Sequence, residues 1–81
     1  MNKSIQFVLK TGEDFIPLVQ LLKVTQMASS GGEAQMLVVD GKVRLNGEIE
    51  LRKRAKIRSG DVVTFQGFKI EVSGKTPNLE G

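Results

Sequence analysis

The sequence predicts a single α+β domain in which two short helices, arranged as an αα-hairpin, pack on a small antiparallel sheet. Apolar residues recur at helical spacing in the first half of the chain, between residues 15 and 39. From Lys42 onward the apolar period changes to two, which is typical of strands. A chain of 81 residues supplies one such domain with one small core.

The first strand and the first helix are predicted from residues 4 to 25. Apolar and polar side chains alternate over Ser4–Lys10, and Thr11-Gly12 ends that strand. Pro17 suits the first turn of the helix, because its missing N–H group has no intrahelical partner there. The stripe expected to face the core comprises Phe15, Leu18, Leu21 and Leu22.

A second helix is predicted to begin after Ser30. Ser30 and Glu33 have the spacing of a capping box, and Asp40-Gly41 ends the helix with a glycine free to adopt a left-handed conformation. Its buried face is expected to comprise Ala34, Leu37 and Val38. The tight, glycine-containing loop between the two helices makes the pair an αα-hairpin.

The rest of the sheet is organised by turns. Asn46-Gly47 is a strong hairpin signal, and further turns are expected at Ser59–Asp61 and at Gly67. Lys53 shares the parity of its apolar neighbours, so a bend is expected near Arg52–Arg54 to keep its charge out of the core. The domain is therefore predicted over 15–73, with an N-terminal strand and loop over 1–14 and a disordered tail over 74–81.

The main functional signal is the distribution of charge. The segment Gly41–Arg58 holds seven basic residues against two acidic ones, whereas the rest of the chain holds five against seven. Such local clustering is the electrostatic signature of a surface that binds phosphates of a nucleic acid. The candidate phosphate ligands are Lys42, Arg44, Arg52, Lys53, Arg54, Lys56 and Arg58.

The start of the second helix is a further candidate anion site. Gly31 and Gly32 leave backbone N–H groups uncovered at the positive end of the helix dipole. Gln35, one turn into the helix, and Lys23, on the first helix, extend the same surface. The competing interpretation is a flexible helix cap.

Catalysis is not expected. The chain has no Cys and no His, so thiol nucleophiles, imidazole bases and nearly all zinc sites are excluded. Glu48 and Glu50 face the same way on a strand and resemble a carboxylate pair, but we interpret them as partners of nearby basic side chains. Asp61 is expected to hydrogen-bond the local backbone. We expect no cofactor, no metal, no membrane contact, a monomer and a cytoplasmic location.

Aromatic residues give no support for base stacking. The chain has no Tyr and no Trp, and its four Phe lie outside the basic segment. Recognition of a folded RNA through its phosphates is therefore favoured over binding of an unpaired strand. The alternative is a protein-interaction module whose basic face docks an acidic partner.

The order of motifs resembles the S4 RNA-binding domain, a family named from a small-subunit ribosomal protein. The matching residues are Ser30, Ala34, the hairpin Gly41–Gly47 and the turn Ser59–Val63, and the resemblance covers about Phe15–Val72. The Gly-Gly-Glu-Ala opening and the tract Leu51–Ile57 are similar to small stand-alone bacterial proteins of the YbcJ/YaaA type.

This resemblance implies the αL-type fold of a helix pair against a small antiparallel sheet. It implies RNA binding through the helix pair and the hairpin, with structured RNA such as ribosomal RNA as partner and a role in ribosome assembly or translation. Many family members place Arg directly after the serine that opens the second helix. Here that position is Gly31, which shifts the expected contacts onto Lys42, Arg44 and residues 52–58.

Overall fold

The computed structural model describes residues 3–10 and 12–74 and has the predicted α+β fold. Its elements are β1 (Lys3–Val8), β2 (Ile16–Pro17), α1 (Leu18–Val24), α2 (Gly31–Val39), β3 (Arg44–Leu45), β4 (Glu48–Ile49), β5 (Lys56–Ile57), β6 (Val62–Phe65) and β7 (Phe68–Ser73). The predicted tail lies outside the described residues apart from Gly74, whose N–H donates to Ser59 Oγ at 2.9 Å.

Five strands form one sheet in the order β1-β7-β6-β3-β4, and β2 pairs with β5 in a separate two-stranded sheet. The prediction of an antiparallel sheet needs one correction, because β1 runs parallel to β7, with Ile5 beside Ile70 and Phe7 beside Val72. Parallel neighbours need a long connection. Nearly the whole domain lies between these two strands in the chain and forms that connection.

The core lies between the helix pair and one face of the five-stranded sheet. The predicted helix stripe is confirmed for Leu18, Leu21 and Leu22, which are fully buried. Ala34 and Val38 of α2 are also fully buried, and Leu37 is half-buried. These side chains share one core with Val63, Ile70 and Val72 of the sheet and with Val43, which directly precedes β3.

The beginning of α1 differs from the prediction. Pro17 is not in the first helical turn; it lies in β2 and forms the N-terminal cap position with extended backbone (φ −61°, ψ 142°). No side chain caps the helix. Instead, the N–H groups of Leu18 and Val19 donate to the carbonyl oxygens of Ala55 and Lys53 at 2.9 and 3.2 Å. The basic segment is thereby attached to the start of α1.

The cap of α2 is a shifted capping box. Ser30 Oγ accepts the N–H of Glu33 at 3.1 Å, as the spacing predicts. The Glu33 carboxylate, however, accepts the N–H and the hydroxyl of Ser29 at 2.6 and 2.7 Å. Both bonds lower the pKa of Glu33 below its ordinary value, and the bond from the Ser29 N–H has the larger effect. At the other end of α2, Gly41 has the expected left-handed backbone, with φ +75°.

The hairpin and the Gly-Asp turn are held together by side chains. Asn46 and Gly47 have φ values of 52° and 90°, as a tight hairpin turn requires. Asn46 Oδ1 accepts the N–H of Val62 at 2.9 Å, and Asn46 Nδ2 donates to Asp61 Oδ1 at 3.1 Å. Asp61 Oδ2 accepts the N–H of Arg58 at 2.8 Å, so its predicted bond to the local backbone is present. We call these contacts the Asn46–Asp61 lock.

The segment after the hairpin turns as predicted. The chain bends at Lys53 and Arg54, and Ala55 and Ile57 beyond the bend are buried. Ile49 and Leu51 have the same odd-numbered parity as Ala55 and Ile57, but they are 53% and 58% exposed. The edge strand β4 is only two residues long, so the chain leaves the sheet before Leu51 can pack. No helix in the described part of the chain is long and apolar enough to cross a membrane.

Candidate nucleic-acid interface

A groove of about 830 Å³, which we call the helix groove, lies on the surface of the described residues. It lies where α1, the first turns of α2 and the bent basic segment meet. Its lining residues are Phe15, Pro17, Val19, Gln20, Lys23, Val24, Gly31, Gln35, Lys53, Arg54 and Lys56. Six of the predicted site residues are therefore gathered in one place: Lys23, Gly31, Gln35, Lys53, Arg54 and Lys56.

The helix groove is positively charged because of how α1 begins. The carbonyl groups of Lys53 and Ala55 accept the first N–H groups of α1, which holds the turn at Lys53 and Arg54 beside the helix. The pairing of Pro17 with Lys56 places the Lys56 cation beside the start of α1 as well. Four cations and no acidic residue line the groove. Low-dielectric walls with one sign of charge concentrate the field on a ligand of opposite charge.

Gly31 leaves one side of the helix groove open. A Cβ atom at this position would meet no other atom within 4 Å, and its φ lies outside the left-handed region. Neither crowding nor backbone conformation requires glycine there. Gly31, the first residue of α2, is thus open to the groove, and its role in binding an anion stays a prediction. Gly32, one residue further, is exposed but does not line the groove.

Phe15 was expected on the core-facing stripe of the first helix, but it lies before α1 and lines the helix groove instead. Its ring is half-buried in the wall of the helix groove, with Lys56 Nζ 5.1 Å and Arg58 Cζ 6.0 Å from the ring centroid. These distances are typical of cation–π contacts. Phe15 lies about forty positions before these cations, and only the pairing of β2 with β5 brings them together. The helical spacing of Phe15 with Leu18 and Leu22 pointed to the core, so no local pattern marked Phe15 for this site.

Lys42 and Arg44 line a second, smaller groove of about 320 Å³, which we call the sheet groove. Arg44 pairs with Thr64, and Thr64 pairs with Lys69. Arg44 and Lys69 therefore lie on the same face of the sheet, with strand β6 between them. The Arg44 guanidinium also donates to the carbonyl of Gly47 at 3.3 Å. Lys69 was not among the predicted residues, although strand parity places it opposite the buried Ile70. The two grooves share no lining residue.

Arg52 and Arg58 line neither groove. The Arg52 guanidinium donates to both carboxylate oxygens of Glu50, at 3.0 and 3.1 Å. These bonds lower the pKa of Glu50 and raise the pKa of Arg52, so both groups remain charged at neutral pH. Glu50 is thus a partner of a basic side chain, as predicted. The charge of Arg52 is largely balanced before any ligand binds.

Within residues 3–10 and 12–74, no three His, Cys, Asp or Glu side chains gather into a group that could hold a metal ion. The fold and its grooves define a small α+β module whose helix pair and adjoining basic turn form a positively charged groove. Comparison with known proteins agrees with this class. The S4 domain model matches residues 8–73, and the chain therefore belongs to the S4 domain family.

Two of the similar proteins are small. "Putative RNA-binding protein YbcJ" of Escherichia coli (strain K12) is 37% identical over 57 residues, which cover 70% of this chain and 81% of that protein. "Probable ribosome maturation protein RlbA" of Bacillus subtilis (strain 168) is 36% identical over 55 residues, covering 68% of this chain and 78% of the relative. The resemblance to stand-alone bacterial proteins of the YbcJ type is confirmed.

A third relative is much longer. A tyrosine–tRNA ligase of Nitrosospira multiformis is 36% identical over 59 residues, which cover 73% of this chain but 15% of the ligase. The similarity therefore reaches only a small part of that enzyme.

The fold itself is confirmed by a solved structure. The solution structure of Escherichia coli YbcJ superimposes with a TM-score of 0.65 at 34% identity, covering 84% of this chain and 85% of that one. Its description assigns to YbcJ an αL motif involved in RNA binding.

Proposed function

We propose that this protein binds structured RNA without catalysing a reaction, and that the helix groove is its principal contact surface. The observation that supports this most is the convergence of Lys23, Lys53, Arg54 and Lys56 on one groove that no acidic side chain lines. Neutralisation of phosphates by such cations releases counterions and supplies affinity for RNA. The sheet groove, with Lys42, Arg44 and Lys69, provides a second region of phosphate contact.

The names of two relatives support RNA binding and suggest which kind of RNA is bound. The names of YbcJ and RlbA refer to RNA binding and ribosome maturation in those proteins. We propose that the RNA bound here is a folded segment of ribosomal RNA. A rigid surface composed of two grooves fits a folded RNA, whose phosphates stand at fixed positions, better than an extended strand.

The experiment that tests RNA binding is a salt titration. Affinity for a short RNA hairpin is measured by fluorescence anisotropy across salt concentrations, for the wild type and for the double variant Lys53→Gln/Arg54→Gln. Each lost phosphate contact should reduce the slope of log affinity against log salt by about 0.7 to 0.9. The double variant should therefore lose about 1.4 to 1.8 from that slope if both cations contact phosphates.

Lys3→Gln/Lys10→Gln is the matched control for charge, because it also removes two cations and both lysines are exposed and line neither groove. It should change the slope much less than the groove variants do. A double variant that keeps the fold, the affinity and the slope of the wild type would refute the assignment of the helix groove. A co-purified protein partner that survives RNase treatment, with no salt-dependent RNA binding, would favour docking of an acidic protein instead.

A further inference from the structure

We propose that the helix groove binds a single unpaired nucleotide of the RNA, with its base against Phe15 and its phosphates on the surrounding cations. This inference rests on the proposed function and specifies its ligand. It replaces the expectation, based on sequence, that stacking plays no part, because that expectation depended on Phe lying far from the basic segment along the chain. In the folded domain Phe15 lines the same groove as Lys53, Arg54 and Lys56.

The helix groove has apolar lining residues that a site for phosphate alone would not need. A backbone phosphate needs cations and N–H donors, but this groove also has an apolar wall formed by Phe15, Pro17, Val19 and Val24. A nucleotide combines a flat apolar face with an anionic group, so both halves of the lining would be used. The volume of about 830 Å³ falls within the range of sites that hold small ligands.

The position of Phe15 follows from the alternation of side chains around β2. Ile16 is buried and pairs with Ile57, so its neighbours Phe15 and Pro17 face away from the core. Pro17 pairs with Lys56, and both line the groove. The ring of Phe15 is thus half-buried in the groove wall beside the Lys56 and Arg58 side chains. Aromatic rings held in this manner bind bases by stacking, and this needs no particular base identity.

The polar groups of the groove suit the edge of a base. Gln20 and Gln35 line it from α1 and α2, and both side chains are exposed. A carboxamide both donates and accepts hydrogen bonds, so the mixed edge of a nucleobase can use both of its functions, whereas a phosphate, which only accepts, uses only its N–H donors. Gly31 leaves space beside Gln35, since a Cβ there would meet nothing within 4 Å.

The test compares two RNA hairpins that differ only in one bulged nucleotide. The bulge carries 2-aminopurine, whose fluorescence responds to stacking, and the protein contributes no Trp or Tyr emission. The wild type should bind the bulged hairpin about fivefold or more tightly than the fully paired one, the lower end of what one stacked base contributes. Binding should also change the 2-aminopurine emission.

Three variants locate the effect. Phe15→Leu keeps an apolar side chain and should abolish the preference for the bulge, whereas Phe15→Tyr keeps the ring and should retain it. Arg44→Gln, in the sheet groove, should weaken both hairpins by the same factor. Far-UV circular dichroism and thermal unfolding establish that each variant is folded before its affinities are compared.

The outcomes separate this inference from the proposed function. Salt-dependent binding of both hairpins with equal affinity would overturn the nucleotide site and leave RNA binding intact. A bulge preference that Phe15→Leu does not reduce would also overturn it. Absence of salt-dependent binding to either hairpin would overturn the proposed function and this inference together.

Discussion

Replacing Asn46 should destabilise the domain far more than a change at an exposed hairpin turn ordinarily does. Asn46 has φ 52°, and its side chain bonds the N–H of Val62 and the carboxylate of Asp61. Asn46→Ala loses both bonds and places an alanine in the left-handed region. Asn46→Gly loses the same two bonds but accepts the backbone conformation.

The expected size follows from these contacts. Two side-chain hydrogen bonds contribute about 1 kcal/mol each to the free energy of unfolding, so Asn46→Gly should cost about 2 kcal/mol. Alanine at a positive φ adds about 1 kcal/mol, so Asn46→Ala should cost about 3 kcal/mol. A domain of this size has a total stability of roughly 4 to 12 kcal/mol. The corresponding fall in Tm is about 8 to 16 °C for glycine, and more for alanine.

Thermal and urea unfolding followed by far-UV circular dichroism measures both variants, since the chain has no Trp. Gly47→Ala, at φ 90°, is the matched control, because it strains the same turn without removing the lock. If Asn46→Gly lies within about 0.5 kcal/mol of the wild type, as most surface substitutions do, the two side-chain bonds do not stabilise the fold and the reasoning is refuted.

Two further predictions concern acidic groups. The bonds to Ser29 lower the pKa of Glu33 in the folded state. The charged carboxylate therefore stabilises the fold at pH values above the ordinary pKa of 4.5, and this stabilisation is lost as the pH falls through the lower pKa of the folded state. Tm curves against pH for wild type and Glu33→Gln should thus be separate at neutral pH and converge in acid; a constant gap would contradict this. Glu50→Gln should release the exposed Arg52 and raise RNA affinity about twofold at low salt in the anisotropy assay, since an ion pair open to solvent on one side contributes about 1 kcal/mol. Unchanged affinity would show that Arg52 lies outside the RNA contact.

Several elements of this fold could be predicted from sequence because their ends have a local cause. The Ser30 cap, the left-handed Gly41 and the Asn46-Gly47 turn are all specified by residues within a few positions of one another. The bend near Lys53 followed from one charged residue on an apolar parity. These predictions required no knowledge of distant contacts.

The remaining features depend on contacts between segments far apart in the chain. The parallel pairing of β1 with β7 joins the two ends of the described domain, and no local pattern distinguishes it from an antiparallel pairing. The cap of α1 is formed by carbonyl groups of Lys53 and Ala55, so no capping side chain marked the true start of the helix. Phe15 was wrongly assigned to the core stripe for the same reason, because its partners Lys56 and Arg58 are brought to it by the pairing of β2 with β5.

The division of the basic segment between two grooves has a structural cause in the Asn46–Asp61 lock. Lys42 and Arg44 precede the Asn46-Gly47 turn and stay with the sheet, whereas Lys53, Arg54 and Lys56 follow the bend and reach the helices. Asp61 bonds both Asn46 and the N–H of Arg58, and the residues just before Arg58 pair with Ile16 and Pro17 at the start of α1. A continuous path of short contacts thus runs from the hairpin to the helix groove. These contacts connect the two cationic surfaces, and under the proposed function such a preformed pair favours an RNA whose phosphates already match their separation over one that must fold to reach it.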